Sequence, residues 1–321
     1  VFLLALKFSR HFTRFTSPPS MSTSQPLLPI TFPRTLTAIS SYTPTNPKTV
    51  IIASYPKSGT TWMQNLVYQL LALAKRRAGS PVAELSHISD FCPFLENDKA
   101  WDHSASPASL APHHLAAHGT IDAAIFNTHL YLSAMPASGD VRYLYVTRDA
   151  KDVCNSFYHH LSHQAPDDGG YTGGRAEFVR DWSEGSIAFG PWGTHLKEWL
   201  EDNGEVKDKE RCLRVDYSEM KRDLDGVLRA VASHLGMGEL SGEEAAEILP
   251  KLSVEYMKAN IDKFEPKSVK WVDKGDGFSF VRKGNEGDGK REFSEDDLEV
   301  FAEGFKKFPP PAACMNLLGG A

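Results

Sequence analysis

The chain is poor in cysteine, in long apolar runs and, over its opening stretch, in acid. Its four cysteines, Cys92, Cys154, Cys212 and Cys314, are scattered through 321 residues. They have the spacing of neither a disulfide framework nor a metal cluster, which points to reduced thiols in a reducing compartment. No apolar run approaches the ~20 residues that a membrane-spanning helix needs. Basic residues are fewer than acidic ones, 35 against 41, and the net charge of −6 argues against a general nucleic-acid binder. A local basic pocket for a small anion is still compatible with that balance. No acidic residue precedes Glu84.

Residues 1–45 stand apart. They hold Lys7, Arg10, Arg14 and Arg34 among many Ser, Thr and Pro. Such a stretch reads as an organelle transit peptide or as translated upstream sequence with Met21 as the start, the second being preferred. Either way poor order is expected there. The expected organisation is therefore an extension over 1–45, one domain over 46–310 and a flexible tail over 311–321. A cytoplasmic location is expected, or a chloroplast one if the extension is a transit peptide.

The composition of the whole chain, 41% hydrophobic and 24% charged, is that of an ordinary globular protein. Strands are expected at 49–53, 121–128, 141–147 and 212–217. Helices are expected at 60–78, 150–164, 175–189, 192–202 and 218–236, with others opening at Ser241 and Ser294. Residues 262–293 show no periodicity and read as a long loop. Strands alternating with helices imply an α/β fold of three layers, P-loop-like, with a central, mostly parallel sheet flanked by helices on both faces.

The first strand runs into Ser54-Tyr-Pro-Lys-Ser-Gly59, and Thr60, Thr61 and Trp62 then open a helix. The first N–H groups of a helix lack internal partners, and its dipole favours anions there. Lys57 adds a mobile cation; Ser58, Thr60 and Thr61 add hydroxyls. The stretch is a phosphate cradle on physical grounds. It is not the nucleotide P-loop, in which lysine follows the second glycine. His129 ends the second strand, on the side where open α/β sheets bind ligands. Arg148 follows the third strand, and its planar fork suits phosphate oxygens.

The order Pro-Lys-Ser-Gly-Thr-Thr-Trp at 56–62 resembles the 5′-phosphosulfate loop of the cytosolic sulfotransferases. Three further segments resemble that family in its own order: Asn127-Thr-His-Leu130, YVTRDAKDVCNSFYHH at 145–160, and Val281-Arg-Lys-Gly-Asn-Glu-Gly-Asp288. The resemblance implies that the donor is 3′-phosphoadenosine 5′-phosphosulfate (PAPS), with no metal. It implies His129 as general base and Lys57 as the cation on the leaving phosphate. Lys57, Ser58, Gly59, Thr60 and Thr61 would hold the 5′ end. Arg148 and Ser156, completed by Arg282, Lys283 and Gly284, would hold the 3′-phosphate. Trp62 would stack on adenine, Tyr217 would hydrogen-bond to it, and Ser253 matches a further nucleotide-side position. Ser156 would also restrain Lys57 until acceptor arrives. The implied partner is a small hydroxylated acceptor of the flavonoid, steroid, jasmonate or glucosinolate-precursor class, without nucleic acid or membrane. The implied state is a monomer or weak homodimer of the plant-type branch.

Two departures stand out. Gly289 occupies a position where the family usually has tryptophan after Gly-Asp, so a looser loop is expected. The tryptophan-containing segment of plant members is not recognisable in 20–45. Both leave open a degenerate, non-catalytic nucleotide binder. An ATP-using P-loop kinase is the weaker alternative, because the lysine stands before the glycine.

Overall fold

Strand β1 (Thr49–Ser54) is buried at all six positions, as its β-branched run requires of a central strand. In the computed structural model, which describes residues 26–82, 84–136, 140–201, 211–281 and 287–319, it lies between two parallel neighbours. Helix α1 (Pro33–Ser41) precedes it, and α2 (Thr60–Arg77) and the short α3 (Ile88–Phe91) follow. A small antiparallel pair comes next, β2 (Trp101–Asp102) with β3 (Ser109–Leu110), and then α4 (Pro112–Ile121). β4 (Ala124–Thr128) and β5 (Val141–Thr147) flank β1, so that Ile51 sits beside Phe126 on one side and Tyr143 on the other. α5 (Ala150–Ser162), α6 (Arg175–Glu184) and α7 (Trp192–Leu200) lead to β6 (Cys212–Asp216). The main sheet has the order β4-β1-β5-β6 and is parallel throughout.

The period-two geometry of β1 divides the core into two layers. Ile51 and Ala53 face Phe157 of α5, Trp182 of α6 and Trp199 of α7. Val50 and Ile52 face Met63, Leu66 and Leu70 of α2, together with Leu228 and Val231 of α9 (Leu224–His234). The expected three-layer α/β architecture is therefore present. Because β4 and β5 lie on opposite sides of β1, the chain reverses direction across that strand, and a crevice opens beyond its carboxyl end. No described helix is long and apolar enough to cross a membrane.

Several boundaries differ from expectation. Ile121 closes α4 rather than opening a strand, because Asp122 turns the chain with a φ of 52°. The helix expected over 218–236 is two, α8 (Tyr217–Arg222) and α9, divided at Asp223, whose carboxylate accepts the N–H of Gly226 as an N-cap. Ser218, where that helix was expected to open, lies inside α8, whose N-cap is Asp216. After α10 (Gly242–Ile248) and α11 (Val254–Ala259), the expected loop contains α12 (Asp288–Glu292), packed on α5, before α13 (Glu295–Lys307). The capping boxes at Ser241–Glu244 and Ser294–Asp297 are both formed.

The N-terminal stretch needs a larger correction. Residues 26–45 are not a loose extension. Thr35, Ala38 and Ile39 of α1 are buried, and Tyr42 packs edge-on against Trp101 and Phe126 at 5.7 and 5.5 Å. The positions 35, 38, 39 and 42 follow helical spacing, so this short stretch carries a core-facing stripe in spite of its polar composition. Arg34 pairs with Asp98, and the N–H of Phe189 donates to the carbonyl of Pro26.

The core and the wall of its crevice also hold neutral histidines. Burial holds His118 and His129 down to about 4 and His195 to about 3, far below the ordinary 6.5. Between those values and 6.5 the unfolded chain binds more protons than the folded one, so stability is lost as pH falls through this window. Buried Glu96, raised to about 8, acts in the opposite sense but is outnumbered. Urea unfolding should show a loss of a few kcal/mol between pH 7 and pH 5. Stability that rose toward pH 5 would contradict the buried, neutral state of these imidazoles.

Candidate active site

A cavity of about 270 Å3 opens where β1, β4 and β5 end. Lys57, Gly59, Thr60, Thr61, Trp62, His129, Arg148, Ser156 and Tyr217, nine of the residues singled out from sequence, line it. The floor is the turn from β1 into α2. Lys57 holds a left-handed φ of 68°, a strained conformation for a residue with a side chain. Gly59, the N-cap of α2, has a φ of 109°, and a Cβ there would meet the Tyr217 ring at 2.7 Å. No side chain caps this helix and its first turn carries no acid, so its leading N–H groups keep their attraction for an anion. The Ser58 hydroxyl is buried with no hydrogen-bond partner, although it is not part of the cavity lining. An uncapped helix start, a close-approach glycine and two lining cations suit a bound phosphate-like anion.

His129 stands opposite, between the rings of Phe94 and Phe189, each 5.4 Å away. Its Nδ1–H donates to the carbonyl of Ser54 at 2.7 Å, because a carbonyl oxygen can only accept. Nε2 is therefore the unprotonated, basic nitrogen. Burial, followed by the Lys57 charge, holds the ring at about 4; the Ser54 hydrogen bond opposes them. Its peptide is also gripped at both ends. The N–H donates to the fully buried Glu96 carboxyl, and the carbonyl accepts Nε2–H of His195 at 3.0 Å. Tyr145 OH donates to the other nitrogen of His195 at 2.7 Å.

Arg148 reaches back to the cradle, donating to the Lys57 carbonyl at 3.1 Å, and its guanidinium lies 4.4 Å above the Tyr217 ring. Asp152, one turn along α5, approaches it at 3.7 Å and is buried. The same carboxylate accepts the N–H groups of Gly287 at 3.0 Å and Gly289 at 2.8 Å. Gly289 lies so close to α5 that a Cβ would be 2.4 Å from the Lys151 carbonyl carbon. Glycine at this position thus seats α12 on α5, while 282–286 of the same loop lie outside the described residues. Trp62 meets Tyr217 edge-on at 5.6 Å and donates its indole N–H to the Leu252 carbonyl at 2.7 Å.

Beside Ser58, one further residue singled out from sequence stands outside the lining. Ser253 is not a lining residue, and its hydroxyl is engaged at the start of α11, accepting from the N–H of Tyr256 and donating to the Pro250 carbonyl. Its neighbours Val254 and Met257 line the cavity instead. Arg282, Lys283 and Gly284 lie outside the described residues. The sequence reading also missed Ser54, Glu96, Asp152 and His160. For the last two a signal existed. Arg148, Asp152, Ser156 and His160 recur every fourth residue, so finding the first and third implies the same face for the others. His160 lines the cavity and its Nδ1 accepts from Lys57 Nζ at 3.2 Å. Among the described residues, no three His, Cys, Asp or Glu side chains are grouped as a metal site.

Comparison with known proteins agrees with this geometry. A family model described as "Sulfotransferase domain" matches residues 47–315. Human Sulfotransferase 1C2 is 28% identical over 266 residues, 81% of this chain and 83% of its own. The rat protein of the same name is 30% identical over 269 residues, with the same coverage. The crystal structure of mouse sulfotransferase SULT7A1 complexed with PAP matches with a TM-score of 0.66 at 21% identity, covering 90% of this chain and 93% of that one. Retinol dehydratase in complex with androsterone and inactive cofactor PAP matches at 0.61 and 22%, covering 85% and 84%. The sequence relatives are animal proteins, so the expected plant-type placement finds no support in them. The chain belongs to the sulfotransferase domain family.

Proposed function

We propose that the protein transfers a sulfuryl group from PAPS to the hydroxyl of a small apolar acceptor. The observation that carries this reading is the tautomer of His129. With Nδ1–H committed to Ser54, a basic nitrogen remains on a residue that lines the same cavity as the anion cradle and Lys57. Bound PAPS supplies the sulfuryl group and the phosphate that leaves it. Nε2 of His129 takes the acceptor's proton from a hydroxyl at about 2.6–3.2 Å. Lys57 and the first N–H groups of α2 offset the charge that grows on the leaving phosphate, usually the largest catalytic contribution. Arg148 and Ser156 hold the 3′-phosphate, joined in this reading by Arg282, Lys283 and Gly284. Trp62 and Tyr217 flank the adenine.

The acceptor side of the cavity supports an apolar substrate. Leu28, Ile30, Phe94, Phe157, Phe189 and Phe264 line it. A flat or alicyclic body with one hydroxyl suits these walls, as in flavonoids, steroids or hydroxylated jasmonates. Two departures had favoured a non-catalytic binder, and each has a structural use here. Gly289 seats α12, and the unfamiliar N-terminus contributes Leu28 and Ile30 to the wall. The ATP-kinase reading has the lysine on the wrong side of the glycine. Thermal shift should rise with 3′-phosphoadenosine 5′-phosphate (PAP) and not with ATP–Mg2+; the opposite result would favour the kinase.

His129→Ala should lower turnover about 100- to 10,000-fold, the span of general-base contributions. Survival within about tenfold would remove His129 from that role. Lys57→Ala should lower turnover and nucleotide affinity together, whereas Arg148→Ala should act mainly on affinity.

The pH profile gives an independent check. A base held at about 4 stays deprotonated throughout the neutral range. The acid limb of kcat/KM should therefore lie near pH 4, well below an ordinary histidine limb near 6.5. A limb between 6 and 7 would mean a more exposed base.

A further inference from the structure

Lys57 is poised between two acceptors. One is the phosphate expected in the cradle. The other is a side chain that neither the cradle nor the base requires: Nδ1 of His160, 3.2 Å from Lys57 Nζ. An ammonium group only donates, so Nδ1 is the unprotonated nitrogen and Nε2 carries the proton. His160 is thus the opposite tautomer to His129 in the same cavity. Its ring is held on two sides, with Trp271 edge-on at 5.0 Å and Phe280 at 6.2 Å. The Phe280 ring also lies 4.6 Å from the Lys57 ammonium, a cation–π contact. Imidazole and ring together make a fixed seat for the lysine on the α5 side of the cavity. Burial and the neighbouring Lys57 charge keep the imidazole neutral, as an acceptor must be.

We propose that His160 is a positioning residue for Lys57, seating its ammonium on the imidazole and so competing with the nucleotide's 5′-phosphate for it. The proposal rests on the reading of the cradle as a nucleotide site. Ser156, one turn earlier on the same face of α5, remains a 3′-phosphate ligand in this scheme. The restraint on the lysine passes to His160. A dianionic phosphate is a stronger acceptor than a neutral imidazole, so bound nucleotide captures the lysine, but only after the seat is broken. Removing the seat should therefore tighten nucleotide binding, and only when Lys57 is there to be released.

A double-mutant cycle with PAP as the probe, read by calorimetry at pH 7.5, tests this. His160→Phe should bind PAP about tenfold more tightly than the parent, the worth of one hydrogen bond to a charged group. On a Lys57→Ala background the same change should alter affinity by less than about twofold. His160→Gln, whose amide oxygen can accept from the lysine, should stay near the parent. In the parent, nitrogen-15 spectra should show Nε2 of His160 protonated and Nδ1 not. If His160→Phe does not fold, His160→Leu replaces it with the same expectation. An equal effect with and without Lys57, no effect in either, or glutamine behaving like phenylalanine would overturn the proposal. Failure of the parent to bind PAP would instead remove the nucleotide reading, and the proposal with it.

Discussion

One peptide carbonyl, that of Ser54 at the end of β1, governs the histidine side of the cavity. It takes the Nδ1 proton of His129 at 2.7 Å and so decides which imidazole nitrogen is basic. The hydroxyl of the same residue meets Thr60 Oγ1 at 2.7 Å, tying the strand end to the first turn of α2. Imidazole and cradle therefore share one anchor. The anchor depends in turn on β4 pairing with β1 in the register that sets Thr128 beside Ala53. A one-residue slip would turn alternate side chains to the other face of the sheet and carry the imidazole away from Ser54.

Charge around the cavity is arranged more tightly than the overall balance of −6 indicates. Lys57 and Arg148 line it, and the histidines that face it, His129 and His160, are kept uncharged by burial and by Lys57. The nearby acids turn inward. Asp152 is spent on Arg148 and on the N–H groups of Gly287 and Gly289. Glu96 is buried behind His129, where desolvation raises it to about 8 against the pull of its hydrogen bonds. A locally positive site on an acidic protein favours a small anion without a general affinity for polyanions.

Much of this was legible from residue order, and the failures have physical causes. The cradle could be read because a strand, a small-residue turn and a helix start are contiguous in sequence. Arg148, just past a strand end, could be read for the same reason, whereas Ser156 came only from the resemblance of 145–160 to the family. α1 was missed because its polar composition hid a stripe at 35, 38, 39 and 42. Gly289 was read as a missing aromatic, when the backbone of α5 leaves no room for a side chain there. Ser253 was assigned by its neighbours in sequence, but its hydroxyl was needed to start α11.

The sequence by itself determined the alternation of strands and helices and the order of lysine and glycine in a turn that suits an anion. These are local properties, set by residue type and spacing along one segment. Only the tertiary structure decided that Ser54 selects the tautomer of His129, that Glu96 and His195 grip its peptide, and that Lys57 rests on His160. Each of these joins segments 33 to 103 residues apart. Such pairings follow from sheet register and helix placement, which no single segment encodes.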